Sequence, residues 1–148
     1  MNEKYMFNEA SEISSLAHFD QKDKLGEPYI DHPIRVAKQL DGYLLKTIAI
    51  LHDVNEDYGL DEFDMDDFPE IVFDVLDLLY HNKQTSYKDY IKEIKTSSLA
   101  TKVKIADLMD NTDFERLDKI YEDDPETALR LAKKYVWALE YLSDKELQ

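Results

Sequence analysis

Three glycines and four prolines are all that punctuate 148 residues, too little turn chemistry for a sandwich or a barrel. Most segments instead repeat apolar residues at helical spacing, so the chain is expected to be all-α and folded as a single domain, residues 1–148. A first helix is expected over about residues 5–19, followed by a polar loop that carries Gly26 and Pro28. The next helix opens at Pro33, with Ile34, Ala37 and Leu40 on one side. Residues 44–51 are almost continuously apolar and fit either a buried strand or a buried helix. Lys46, Ala49 and the lack of partner strands favour a central helix. Gly59 supplies its stop, and the acidic segment 61–67 reads as a short helix or a surface loop. Pro69 opens a helix with the stripe Ile71, Val75, Leu78 and Leu79. Ser86 and Asp89 then cap one carrying Tyr87, Tyr90, Ile91 and Ile94. Leu99, Val103, Ala106 and Met109 mark the next helix. The last begins at Asp124 and Pro125 and runs through Ala128, Leu131, Tyr135, Ala138 and Leu142.

Charge narrows the partners. Thirty-three Asp and Glu against 18 Lys and Arg give a formal charge of -15, which repels nucleic acid and anionic lipid surfaces. With 43% hydrophobic residues the chain still builds a core, so its charge does not signal disorder. The absence of cysteine removes disulfides, thiolate metal sites and thiol nucleophiles. The N-terminus has no signal-peptide pattern and no window approaches the length of a membrane span, so a cytoplasmic protein is expected.

Chemistry gathers in three segments. His52 and Asp53 follow the run Ile48-Ala49-Ile50-Leu51, an unusual place for ionisable groups. One further helical turn would put His52 over Glu56 and Asp53 over Asp57, presenting an imidazole and three carboxylates to a small volume. Such a cluster either dissolves into a solvated acidic surface or is neutralised by a divalent cation. In Gly26-Glu27-Pro28-Tyr29-Ile30-Asp31-His32-Pro33, the proline is expected to push His32 into extended geometry at the mouth of a helix, as an N-cap. In Val103-Lys104-Ile105-Ala106-Asp107-Leu108-Met109-Asp110-Asn111, Asp107 interrupts an apolar helix, with Asn111 one turn on; a buried aspartate there needs a cation or a donor. A set made of His32, His52, Asp53 and Asp107 would suit Mn²⁺, Fe²⁺, Co²⁺ or Zn²⁺ better than Mg²⁺.

These three stretches, in this order, resemble the HD-domain metal phosphohydrolases, and within them the small alarmone hydrolases related to the RelA/SpoT hydrolase domain. The resemblance covers about residues 16–142, and the Glu56-Asp57 pair after His52-Asp53 favours the alarmone branch. It implies a helical bundle that holds one Mn²⁺, or another divalent ion, through His32, His52, Asp53 and Asp107. Glu56 and Asp57 would act on the attacking water. Lys24, Lys104 and Asn111 would bind the substrate, Asn111 at the nucleotide sugar. The implied reaction removes the 3′-pyrophosphate from guanosine tetra- or pentaphosphate. The chain has no length for the synthetase and regulatory regions of the long relatives, so a stand-alone hydrolase is expected. The partner would then be a small nucleotide, with no nucleic acid and no membrane.

The chain departs from the family's first motif. Ala17-His18 and Gln21 fit, but Asp23 stands where an arginine is expected, while Lys24 remains. An aspartate cannot stack on a base as a guanidinium does. Two alternatives therefore stay open: a phosphohydrolase acting on another nucleotide, or a non-catalytic nucleotide-binding module stabilised by its metal. Lys104 reads equally as a phosphate contact or as a lysine snorkelling from a packed helix. Arg35 and Arg116 are further phosphate candidates. His81, Tyr29 and Tyr87 read first as packing residues. Between Leu51 and Tyr80 lie eleven Asp and Glu and no Lys or Arg, so much of the acidity flanks the expected metal centre.

Overall fold

The computed structural model describes residues 2–144 as eight helices, with no strand among them. They are α1 (Glu3–Ala17), α2 (Asp31–Lys38), α3 (Tyr43–Asp57), α4 (Glu70–Leu79), α5 (Tyr87–Lys95), α6 (Ser98–Asn111), α7 (Phe114–Asp123) and α8 (Pro125–Ser143). None of the described helices is long and apolar enough to cross a membrane.

The ambiguous apolar run is helical and central. Thr47 through His52 are buried in succession, and α3 packs against α1, α2, α4 and α6. A helix surrounded on all sides needs no polar face, which is why the run lacks a clean 3.6-residue period. The helix continues to Asp57 and ends as expected, with Gly59 at φ +79 and its N–H bonded to the Val54 carbonyl. Facing α3 is α6, whose Val103, Ala106, Asp107, Leu108 and Asp110 are buried. The loops supply the expected caps: the Ser86 hydroxyl accepts the Asp89 N–H at 3.1 Å, and Asp124 accepts the Thr127 N–H at 3.1 Å.

Three sequence expectations need correction. His32 is not an extended N-cap: α2 begins at Asp31, its N-cap is Ile30, and His32 and Pro33 both sit in the first turn. The entry tightens into three-residue bonds, Asp31 to Pro28 and His32 to Tyr29, where proline's missing N–H costs nothing. Three stripes are rotated from the expected ones. Ile34, Ile71 and Met109 are exposed, and Val36, Val72 and Leu108 are buried in their place. The segment 61–67 takes the loop alternative. Finally, α7 was not anticipated. None of its residues is fully buried and it packs chiefly on α8, although Phe114, Leu117, Ile120 and Tyr121 recur at helical spacing.

Candidate metal centre

Three helices bring their ionisable residues to one point. From α2 comes His32, from α3 His52 and Asp53, and from α6 Asp107. The His32 Nε2 lies 2.9 Å from Asp107 Oδ1 and 3.5 Å from Asp53 Oδ2. The His52 Nε2 lies 3.2 Å from Asp53 Oδ1 and 3.5 Å from Asp107 Oδ1. One ligand atom from each of His32, His52 and Asp53 falls within 4.8 Å of the others. Donors bound at about 2.1 Å to one ion sit roughly 3 to 4 Å apart, which is the spacing found.

The other ring nitrogen of each histidine is already committed. The His32 Nδ1 is 2.6 Å from Asp110 Oδ2, and the His52 Nδ1 donates to the Ala49 carbonyl at 2.6 Å. Such contacts fix the tautomer and aim Nε2 inward, as the outer partners of metal-ligating histidines do. Asp110 in turn takes two bonds from the Arg35 guanidinium, 2.8 Å from Nε and 3.1 Å from Nη2. Asp53 accepts from the Tyr29 hydroxyl at 2.9 Å, and Asp107 pairs with the Lys104 ammonium at 3.0 Å. The donor set and its outer supports fit a divalent ion.

Electrostatics says the same. Burial disfavours the charged form of His32, but hydrogen bonds to Asp107 and Asp110 outweigh it and push its pKa up to about 10. Burial is likewise overcome at His52, chiefly by the Asp53 charge, and its pKa rises to about 9. Asp107 is held well below the usual carboxylate range, because the Lys104 ammonium and both imidazoles outweigh the loss of hydration. For Asp110 the His32 and Arg35 bonds outweigh burial and lower its pKa to about 2. Without an ion, protonated His32 and His52 would balance the charge of these carboxylates.

A pH dependence follows. The raised histidine values mean that stability of the metal-free chain from these groups is complete below about pH 6.5 and lost as pH rises through 9 to 10. Ion binding must displace those protons, so it is expected to strengthen by about tenfold per pH unit for each proton released. Thermal melts at pH 6.5 and 8.5 check this: added Mn²⁺ should raise the midpoint more at the higher pH. An equal rise at both would contradict it.

The remaining expected residues surround the centre. Glu56 and Asp57 occupy the last turn of α3, exposed at the surface. Partial desolvation raises both carboxyls above their ordinary values. Glu56 accepts the His81 backbone N–H at 3.1 Å, and Asp57 accepts the Gln21 amide at 3.3 Å. His81 stacks on Tyr90 with ring centroids 4.5 Å apart and its Nε2 meets the Thr85 carbonyl, consistent with packing. Lys24 and Asn111 line a cavity of about 260 Å³ that opens beside His32, Asp53 and Asp107. Asn111 also reaches Asp107 at 3.5 Å. Lys104 lies over the Tyr90 ring and on Asp107, at the edge of the centre. Larger cavities elsewhere lack this combination of imidazole and carboxylate groups.

Sequence reasoning missed Asp110 and Tyr29. A signal for Asp110 existed: His32 and Arg35 on α2, like Asp107 and Asp110 on α6, are spaced three apart and so share one face. Tyr29 lies in a loop and offered no periodicity; its hydroxyl meets Asp53 only because the loop folds back over α3.

Comparison with known proteins agrees with these features. No protein-family model matches the chain. A guanosine-3′,5′-bis(diphosphate) 3′-pyrophosphohydrolase of Borreliella burgdorferi is 37% identical over 90 residues, a match covering 54% of this chain and 14% of that protein. The chain thus spans only a small part of that relative's length. Among solved structures, a protein described as a metazoan ortholog of SpoT that hydrolyzes ppGpp superposes with a TM-score of 0.65 at 22% identity. That match covers 90% of this chain and 85% of the other and establishes the shared helical fold. Sequence match and fold together bear out the resemblance to the HD-domain alarmone hydrolases.

Proposed function

We propose that the whole chain acts as one hydrolase domain that removes the 3′-pyrophosphate from guanosine tetra- or pentaphosphate, giving GDP or GTP and pyrophosphate. The observation that carries this reading is the convergence of His32, His52, Asp53 and Asp107 from three helices, with both Nδ1 atoms already committed. The Borreliella burgdorferi relative's name supports the reaction.

His32, His52, Asp53 and Asp107 would hold the ion, for which Mn²⁺ is the first choice and Fe²⁺, Co²⁺ or Zn²⁺ the alternatives. When bound, the ion supplies charge that polarises a phosphoryl oxygen and acidifies water toward neutral pH. Everything else falls to side chains. Glu56, with its raised proton affinity, is suited to accept the proton of the attacking water. Asp57, held by Gln21, orients that water. Lys104, paired with Asp107 and lying over the Tyr90 ring, would neutralise charge on the pyrophosphate group under attack. Lys24 and Asn111 hold the nucleotide in the cavity, Asn111 at the sugar. Water adds to the phosphorus as its bond to the 3′ oxygen breaks; that oxygen leaves with a proton as the 3′ hydroxyl of GDP or GTP, and no protein nucleophile is required. With a small nucleotide as substrate, the protein would act in the cytoplasm, with neither nucleic acid nor membrane as partner.

A panel of phosphorylated nucleotides with Mn²⁺ tests the substrate. Guanosine tetraphosphate should be the best pyrophosphate donor. Faster turnover of a nucleoside monophosphate or a dinucleotide phosphate would move the enzyme to another branch.

A further inference from the structure

Asp23, which stands at the expected arginine position, is fully engaged. Its Oδ1 accepts the N–H groups of Leu25 at 2.8 Å and Glu27 at 3.0 Å, closing the turn in which Gly26 takes φ +80. Its Oδ2 accepts Arg116 Nη2 at 3.1 Å. Backbone N–H bonds and the guanidinium together outweigh desolvation and keep this carboxyl below its ordinary value, so the pair stays ionic at neutral pH.

Arg116 comes from the first turn of α7, far along the chain. Since α7 has no buried residue, core packing fixes its position weakly, and the Asp23 bond ties it to the loop that follows α1. Arg116, Leu117 and Ile120 form one wall of the cavity beside the metal centre, with Leu131 and Tyr135 of α8 completing an apolar slot. That slot suits the faces of a planar ring. One guanidinium nitrogen is held by Asp23, and no other hydrogen bond from Arg116 to a described residue is found, so its remaining N–H groups are available to a ligand.

We propose that Arg116, oriented by Asp23, is the base-recognition residue of this site and selects guanine over adenine. The inference rests on the guanine-nucleotide reading above. Guanine presents two adjacent acceptors, O6 and N7, which match a guanidinium fork; adenine replaces the first by an amino donor. The planar guanidinium expected in the loop is thus supplied from a neighbouring helix, and the aspartate is its holder.

Calorimetric titration of the full chain with GDP and with ADP, in Mn²⁺, tests this without requiring turnover. The unaltered protein should bind GDP about tenfold or more tighter than ADP. Arg116→Ala should weaken GDP binding by about tenfold and change ADP binding by less than about twofold. Arg116→Lys should not restore GDP, because a point charge cannot make both bonds. Equal loss of GDP and ADP binding, with rescue by lysine, would identify a phosphate contact and overturn the proposal. So would unchanged GDP binding in Arg116→Ala, or no preference for GDP in the unaltered protein. The hydrolase reading fails separately, if the unaltered protein releases no pyrophosphate from guanosine tetraphosphate while its GDP preference still depends on Arg116.

Discussion

Replacing Asp107 by alanine is expected to cut pyrophosphate release by more than about a thousandfold, a loss beyond about 4 kcal/mol in transition-state stabilisation. The side chain stands at the intersection of four contacts: His32 Nε2 at 2.9 Å, His52 Nε2 at 3.5 Å, Lys104 Nζ at 3.0 Å and Asn111 Nδ2 at 3.5 Å. Removing it takes a carboxylate from the ion and leaves Lys104 enclosed without its partner, so the variant also risks folding poorly. Asp107→Asn keeps the volume and removes the charge, and should lose activity to a similar degree while retaining the helical circular dichroism. Steady-state kinetics of both variants, with the Mn²⁺ stoichiometry measured on the same samples, separates loss of the ion from loss of fold. Activity within tenfold of the unaltered chain in a folded variant would remove Asp107 from the site.

The second large effect is expected one step outward. Asp110 touches no proposed substrate atom, yet it receives His32 at Nδ1 and is clamped by Arg35 at two nitrogens. Asp110→Ala should weaken Mn²⁺ binding by about 10- to 100-fold, the usual result of removing the partner that orients a metal-ligating histidine. Turnover at saturating ion should fall much less, because the ligands themselves remain. Mn²⁺ titration of activity reads the two effects apart. A reduced maximal rate with unchanged Mn²⁺ dependence would instead place Asp110 in the chemical step.

Why some of this was legible in the sequence and some was not follows from what each signal depends on. Helix α3 could be read because a long apolar run with a lysine and no partner strands has few other uses, and His52-Asp53 at its buried end marks the site by local pattern alone. Joining that segment to His32 and Asp107 was beyond periodicity, since residues 75 positions apart meet only through packing of α2 on α6; resemblance to known hydrolases supplied the link. Three side chains were assigned to the wrong face because Ile34, Ile71 and Met109 are apolar but exposed, and a binary pattern cannot tell an edge position from the stripe. Helix α7 escaped although Phe114, Leu117, Ile120 and Tyr121 recur at helical spacing, because the segment is short and its charged residues outnumber them. Arg116 was visible as a cation, but its tie to Asp23 crosses 93 residues and depends on that unread helix.

The most direct test strips the protein of metal with a chelator, restores one divalent ion at a time, and follows guanosine tetraphosphate by product analysis. The expected result is no turnover without an ion and formation of GDP and pyrophosphate in equal amounts with Mn²⁺. Binding of the nucleotide with no product under Mn²⁺, Mg²⁺, Co²⁺ or Zn²⁺ would contradict it and leave a metal-stabilised binding module instead.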